Sequence, residues 1–313
     1  MKKALIIGAA GFVGQYLIEH LKSLKVYSIT VTKLPKDNLE SSGIEVFNLD
    51  ILNQNEVLEI LTKIKPDYIF HLAAQSSVAL SWENPNLTID INVKGSINLL
   101  NAIRKLDYKP RILMIGSGEE YGYAMQEDIP IKEETILRPG NIYAASKVCQ
   151  NMIGKIYSKA YDLDIVMVRA FNHVGPKQSS TFVVSEFCRQ VAMIEKGLAE
   201  QTIKVGNINV RRDFTDVRDV VRAYELLIKY GNSGELYNVG SGQAVSIKNI
   251  LDLILSKSTR KISICVDKNK FRPADVPIIQ ADISKLKKTI NWLPEYSIER
   301  TIEDTLNFWR KNV

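Results

Sequence analysis

Short apolar runs alternate with amphipathic stretches through the first half of the chain. Runs that are apolar throughout are typical of buried parallel strands, whereas apolar residues at every third or fourth position predict helices with one buried face. The alternation predicts an α/β protein in which helices cover a parallel sheet. The predicted strands are residues 4–7, 27–32, 45–48, 67–72, 111–115 and 165–168, and the predicted helices are residues 14–24, 56–64, 90–104 and 143–161.

The regular alternation weakens after residue 170, where segments rich in Asn, Gly and Pro separate shorter elements. The chain has 313 residues, which exceeds the usual size of a single core. We therefore predict a Rossmann-type doubly wound parallel sheet, which binds a dinucleotide, with a smaller C-terminal substrate lobe. Residues 214–230 resemble a return to the first unit. The two predicted units are residues 1–171 with 213–240, and residues 172–212 with 241–313.

The composition narrows the possible partners. The chain has 41 Lys and Arg against 35 Asp and Glu, a net charge of +6, but no basic run that would favour nucleic acid. A few of these cations are expected to neutralise phosphates of a cofactor and a substrate.

Cys149, Cys188 and Cys265 are far apart, so neither a metal site nor a disulfide framework is expected. No apolar run approaches the roughly 18 residues of a membrane span, and no cleavable leader is recognised. We expect a cytoplasmic protein.

A Gly-rich turn joins the first predicted strand to the first predicted helix. Gly8 allows the tight turn, Gly11 lets an anion approach the backbone, and Gly14 lets the helix pack closely on the strand. Phe12 and Val13 lie in the first helical turn, where backbone N–H groups and the positive end of the helix dipole favour a phosphate. The segment predicts binding of a dinucleotide pyrophosphate.

The end of the second strand bears on the choice of cofactor. An acidic residue there binds the ribose hydroxyl of NAD, whereas a basic residue accommodates the extra phosphate of NADP. The chain has Thr32 and Lys33 at this position, which favours NADP(H) with NAD(H) still possible, unless Lys33 is only an exposed loop lysine. The ends of two later strands are expected to line the adenine and ribose pockets, through Asp50, Ile51, Leu72, Ala73 and Ala74.

Tyr143 and Lys147 lie four residues apart, on one face of a predicted helix. A free phenol has a pKa of about 10, and a neighbouring ammonium stabilises its anion, so the pair predicts a tyrosine that transfers a proton. Such pairs are common on helix surfaces. This one follows a strand that ends in Gly116 and Ser117, which strengthens the prediction.

The segments Gly8 to Gly14 and Tyr143 to Lys147, with Ser117 four residues before Tyr121, resemble the extended short-chain dehydrogenase/reductases that modify nucleotide sugars. The resemblance covers the whole chain. It implies that Ser117 hydrogen-bonds the sugar oxygen, that Tyr143 transfers the proton, and that Lys147 also holds the nicotinamide ribose. It further implies a homodimer.

Within that family, four segments resemble the enzymes that act on GDP-linked sugars: residues 116–122, 171–176, 212–219 and 272–273. The reaction is expected to be reduction of a 4-keto group rather than 4,6-dehydration. Dehydratases resembling this chain carry Thr-Asp-Glu or Thr-Ser-Glu where this chain has Ser117, Gly118 and Glu119. Glu119 leaves a base for the dehydratase alternative, or it only orders the loop. A 4-epimerase and a non-catalytic dinucleotide sensor are further alternatives.

The substrate lobe contains candidates for binding the diphosphate. Arg212 and Arg272 lie beside turn-forming residues, and a planar guanidinium fork suits a diphosphate. By resemblance, Asn172 contacts the sugar diphosphate, Val183 opens a helix against the base, and Lys204 lies at the edge of the ribose pocket.

Overall fold

The computed structural model describes residues 1–39, 43–267 and 276–313. Its strands are β1 Lys2–Ile7, β2 Tyr27–Lys33, β3 Glu45–Asn48, β4 Tyr68–His71, β5 Arg111–Ser117, β6 Ile165–Ala170, β7 Asn172–Val174, β8 Thr202–Val205, β9 Arg211–Asp216, β10 Leu236–Val239, β11 Ala244–Ser246, β12 Ser263–Val266 and β13 Ile278–Ile279. Its helices are α1 Phe12–Leu24, α2 Gln54–Ile64, α3 Val78–Glu83, α4 Pro85–Ile89, α5 Gly95–Arg104, α6 Ile142–Tyr161, α7 Val183–Glu195, α8 Val217–Tyr230, α9 Ile247–Ser256, α10 Ser284–Ile290 and α11 Ile298–Asn312.

The large sheet has seven strands in the order β10-β6-β5-β4-β1-β2-β3, and each pairing is parallel. Alternate residues of β1 enter different cores: Ala4 and Ile6 pack with α1 and α8, whereas Leu5 and Ile7 pack with α2 and α5. Burial on both faces explains why the central strands are apolar throughout. The predicted doubly wound α/β fold is confirmed.

The lobe contains two small sheets, one in which β9 lies between β11 and β13 and also pairs with β7, and one formed by β8 and β12. Helices α7, α9 and α11 enclose their core through residues such as Phe187, Ile250 and Ile302. The large domain is the unit that contains the seven-stranded sheet. Since β9 runs to Asp216 in the lobe, the chain returns to the large domain at α8, slightly later than the expected boundary at 213. Helix α10 also packs on α8 and β10, in the large domain.

Two differences from the expected elements concern the segment before β5. Helix α3 is unpredicted, and the expected helix 90–104 starts at Pro85 and contains a π-helical turn at Asp90–Lys94. Asn92 in that turn is buried and donates from Nδ2 to Ser146 Oγ, 2.8 Å away on α6. The irregular turn therefore packs against the helix that carries Tyr143 and Lys147, as π-turns near functional sites often do. Among the described residues, no helix combines the length and apolarity of a membrane span.

Candidate active site

The Gly-rich turn at the end of β1 has the geometry that a pyrophosphate requires. Gly8 has a φ of +85°, and a Cβ there would lie 2.6 Å from the Ala73 backbone. A Cβ on Gly14 would lie 2.4 Å from the Ala9 carbonyl oxygen, so helix and turn are in close contact. At Gly11 a Cβ would meet only the Gly8 carbonyl oxygen, at 3.6 Å, among the described residues. The start of α1 therefore leaves its backbone N–H groups open to an anion, as the sequence predicts for a dinucleotide pyrophosphate.

The expected cofactor-binding residues at the following strand ends lie along this edge of the sheet. The Ala9 N–H donates to the Thr32 carbonyl over 2.9 Å, which ties the turn to the end of β2. Lys33 is partly exposed, and its Nζ donates to the Leu34 carbonyl over 3.2 Å. The other expected residues of this edge follow β3 and β4, namely Asp50, Ile51, Leu72, Ala73 and Ala74. The Leu72 N–H donates to the Ile7 carbonyl, 3.0 Å away.

Ser117 and Tyr143 meet at the carboxyl end of β5. Helix α6 begins beside this strand. The Asn141 side chain caps the start of the helix by accepting from the Ala144 N–H over 2.8 Å. Tyr143 in the first turn is nearly buried. Burial raises the pKa of its phenol to about 12; the hydrogen bond to Ser117 opposes the rise, while Glu119 adds to it. The phenol is therefore protonated at neutral pH and can act as an acid.

The Lys147 ammonium does not bind the Tyr143 phenol as the sequence suggested. Its Nζ donates to the Ile115 carbonyl over 2.8 Å and to Gln150 Oε1 over 2.9 Å, so these two acceptors hold the ammonium rather than the phenol. Burial lowers the pKa of Lys147 to about 8, and the Glu120 carboxylate opposes that shift. With this pKa the ammonium is mostly charged at neutral pH.

Sequence reasoning missed a buried ion pair next to the end of β5. Glu120 is fully buried and accepts from Arg169 Nε at 2.8 Å, Asn151 Nδ2 at 2.7 Å and the Ser117 N–H at 2.9 Å. A Cβ on Gly116 would lie 2.3 Å from Glu120 Oε1, so the glycine makes room for this network. No local pattern marks Glu120, since its partner on β6 lies 49 residues away.

Glu119 and Gly118 form the rest of the turn after Ser117. Glu119 is partly buried, and its Oε2 lies 3.5 Å from Asn141 Nδ2, at the start of α6. A Cβ on Gly118 would lie 3.1 to 3.3 Å from three ring atoms of Phe171. A larger side chain at position 118 therefore requires Phe171 to move.

The expected substrate residues are spread over the lobe. Asn172 lies in β7 and Val183 starts α7, where both are exposed to some degree, and Lys204 lies on the exposed side of β8. Arg212 is buried, and its NH1 donates to the carbonyls of Arg211 at 2.9 Å and Val276 at 2.8 Å. Its guanidinium thus ties backbone segments together. Arg272 lies outside the described residues.

The lobe contacts the start of α1 directly. The His173 ring stacks on Phe12 at 6.1 Å between centroids, with 8° between the planes. The Tyr16 hydroxyl donates to the Pro176 carbonyl over 2.9 Å. Arg218 on α8 binds Asp216 at 2.6 Å and Asp304 of α11 at 2.8 Å, so ion pairs also join the two units. The Gly-rich turn and the lobe are therefore in direct contact.

A Rossmann-type sheet with a Gly-rich first turn and a Ser–Tyr–Lys set at β5 and α6 defines an extended short-chain dehydrogenase/reductase, an NAD(P)-dependent class of enzyme. Within that class the chain belongs to the GDP-mannose 4,6-dehydratase family, whose sequence model matches residues 5–305.

One relative and two solved structures illustrate what the chain is similar to. The chain is 30% identical over 312 residues to GDP-6-deoxy-D-mannose reductase of Pseudomonas aeruginosa, covering 100% of this chain and 98% of that one. The solved structure of RMD from Pseudomonas aeruginosa complexed with NADPH has a TM-score of 0.90 at 30% identity and full coverage of both chains. UDP-glucose 4-epimerase of Thermus thermophilus, solved with NAD, has a TM-score of 0.88 at 26% identity, covering 99% of this chain and 100% of that one.

Proposed function

We propose that this enzyme reduces the C4 keto group of GDP-4-keto-6-deoxy-D-mannose to a GDP-6-deoxyhexose of the GDP-D-rhamnose type. NADPH is the preferred reductant and NADH a possible one. The observation that carries the proposal is the buried Ser117–Tyr143 pair, in which Tyr143 has a raised pKa and therefore holds its proton. The similarity to a GDP-6-deoxy-D-mannose reductase along the whole chain supports the choice of substrate.

In this proposal the chain's own residues bind the keto oxygen and supply the proton. The bound dihydronicotinamide would supply the hydride. The Ser117 hydroxyl orients the sugar oxygen, and Tyr143 gives its proton to that oxygen as negative charge develops. Lys147 provides a fixed positive charge in the same buried site, which favours the anionic transition state. Positioning the reactants in contact removes much of the entropic barrier.

The turn after Ser117 favours reduction over 4,6-dehydration. Dehydration requires further acid and base groups, to remove a proton from C5 and a hydroxyl from C6. Gly118 offers no such group, and the Phe171 ring lies within 3.3 Å of the place where its Cβ would be. Glu119 remains the one candidate base in this turn, and its proximity to Asn141 supports a role in ordering the start of α6.

Substrate binding is part of the same proposal. Asn172 and Val183 would contact the diphosphate and the base, with Lys204 at the ribose. Arg212 and Arg272 are both candidates for binding the diphosphate, and NH1 of Arg212 also donates to the carbonyls of Arg211 and Val276.

The decisive test follows nicotinamide absorbance after GDP-4-keto-6-deoxy-D-mannose is added with NADPH or NADH, with GDP-mannose in parallel. We expect one NADPH to be oxidised per keto-sugar and no reaction of GDP-mannose. Conversion of GDP-mannose to a keto-sugar without net cofactor consumption would instead establish the dehydratase.

We also infer a homodimer and a cytoplasmic location, as expected from the sequence. Support for the dimer comes from one face of α6, where Met152 and Ile156 are 58% and 57% exposed and Cys149 is exposed beside them. Light scattering should give twice the chain mass for the wild type and a smaller mass for Ile156→Glu. A monomeric wild type would contradict the dimer.

A further inference from the structure

A closed set of three hydrogen bonds surrounds the Lys147 ammonium. Nζ donates to the Ile115 carbonyl at 2.8 Å and to Gln150 Oε1 at 2.9 Å, and Gln150 Nε2 donates to the same Ile115 carbonyl at 3.0 Å. Gln150 has no exposed surface and Lys147 is 4% exposed, so water does not replace these bonds. Gln150 lies one turn beyond Lys147 on α6 and was not among the expected site residues.

The orientation of the Gln150 amide follows from chemistry. An ammonium only donates and a backbone carbonyl only accepts, so the amide oxygen must face Lys147 and the amide nitrogen must face Ile115. Ile115 lies in β5, two residues before Ser117. The amide oxygen accepts one hydrogen bond of the ammonium and the Ile115 carbonyl accepts a second, so the amide fixes the ammonium relative to the strand that carries Ser117.

We propose that Gln150 is a positioning residue for the reaction: together with the Ile115 carbonyl, its amide holds the Lys147 ammonium in place and keeps it charged at neutral pH. A buried ammonium loses its hydration and needs acceptors in exchange. The part this plays in turnover rests on the proposed function, because there Lys147 holds the cofactor ribose and supports the developing anion.

The ionisable groups around Lys147 provide little other compensation. Glu120 favours the charged lysine, but Arg169 already neutralises it at 2.8 Å. Tyr143 is neutral because its pKa is raised, and His71 on β4 is neutral because burial lowers its pKa to about 3. The remaining charged residues of α3 and the π-turn, Glu83, Asp90 and Lys94, are exposed. The neutral acceptors of Gln150 and Ile115 therefore stabilise the cation at closest range.

The test measures the protonation of Lys147 directly. NMR of protein labelled at the lysine side chains, with the Lys147 resonance assigned through Lys147→Arg, should show a midpoint near pH 8 in the wild type. Gln150→Met removes the acceptor and should lower the midpoint by roughly one pH unit, because a bond to the charged form is lost. Gln150→Glu places a carboxylate at the same atom positions and should raise it by roughly one unit or more.

Tyr157→Phe is the matched control. Tyr157 lies on the same helix and donates to Asn101 Oδ1 over 2.9 Å, so its loss removes a hydrogen bond of α6 without touching Lys147. We expect no shift in this variant. Equal midpoints in Gln150→Met and the wild type, or equal shifts in Gln150→Met and Tyr157→Phe, would overturn the proposal.

If Gln150→Met does not fold, Gln150→Glu still tests the proposal. An unchanged Lys147 midpoint in Gln150→Glu would show that the side chain at position 150 does not bind the ammonium. The titration uses the protein without cofactor or substrate. It therefore stands even if the wild type oxidises no NADPH, an outcome that would count against the proposed function alone. Where NADPH is oxidised, the alkaline limb of kcat should move to lower pH in Gln150→Met.

Discussion

Two fully buried carboxylates are satisfied in different ways in the two units of this protein. In the large domain, Glu120 faces the guanidinium of Arg169 at 2.8 Å, and also binds Asn151 and the Ser117 N–H. In the lobe, Asp213 accepts from the N–H groups of Ser241 at 2.7 Å, Gly242 at 2.9 Å and Ala281 at 3.1 Å, and from the Ser241 hydroxyl.

The difference separates two uses of buried charge. A carboxylate in the turn after β5 and a cation on β6 form a buried ion pair next to Ser117. In the lobe the carboxylate joins β9, the loop after β10 and the segment after β13 through their backbones, much as Arg212 joins β9 to the segment before β13. Glu120 thus supports the candidate site, whereas Asp213 and Arg212 hold backbone segments of the lobe together.

Tyr143→Phe should produce the largest effect, because it removes the proposed proton donor to the substrate oxygen. We expect kcat to fall by roughly 10²- to 10⁴-fold, the usual contribution of a general acid. NADPH affinity, measured by fluorescence titration, should hardly change. Substantial retained activity would remove Tyr143 from the role of proton donor.

Glu120→Ala should destabilise the large domain strongly, because Arg169 would be left buried without its partner. Breaking a buried pair on one side costs about 3–5 kcal/mol. Urea unfolding measures this loss. The matched control is Glu119→Ala, which loses only a 3.5 Å contact with Asn141 and should change the free energy of unfolding by less than about 0.5 kcal/mol. Equal losses in both variants would contradict the distinction between the two neighbours.

Asp213→Asn tests the other half of the comparison. The amide would turn a donor toward backbone N–H groups, so unfolding free energy should fall by about 1–3 kcal/mol, the cost of unsatisfied buried donors. Turnover of the folded protein should change much less than in Tyr143→Phe. A large fall in kcat with unchanged stability would give Asp213 a part in the chemistry and remove the contrast between the two units.

The sequence predicts the large domain well because its elements are defined by local patterns. Residues buried on both faces give continuous apolar strands, and the Gly-rich turn and the Tyr143–Lys147 spacing are each contained in one short segment. Strand β10 is harder to recognise because the short segment contains Asn238, whose buried side chain bonds Tyr121 and Ile131, each more than 100 residues away.

The site is less accessible to sequence reasoning where contacts are distant. Glu120 and Arg169 are charged residues of ordinary appearance, and only the pairing of β5 with β6 shows that they meet. Arg212 shows the converse, since one nitrogen of a fork suited to a diphosphate donates to backbone carbonyls. Gln150 lies one helical turn from Lys147, and nothing in that spacing alone marks the amide as a partner of the ammonium.

Lys33→Ala should have the smallest effect and sharpen the account of the cofactor half. The partly exposed ammonium at the end of β2 would pair with the extra phosphate of NADPH, so its loss should weaken NADPH by roughly tenfold, equivalent to about 1.4 kcal/mol. NADH affinity should stay the same, since NADH lacks that phosphate.

Lys36→Ala is the control, because it removes the same charge from an exposed position three residues further on. The test is fluorescence titration with both cofactors at two salt concentrations. The preference of the wild type for NADPH over NADH should weaken as the salt concentration rises, because an exposed ion pair is screened by salt. Equal losses for NADPH and NADH would show that Lys33 supports the turn through Leu34 and does not read the phosphate.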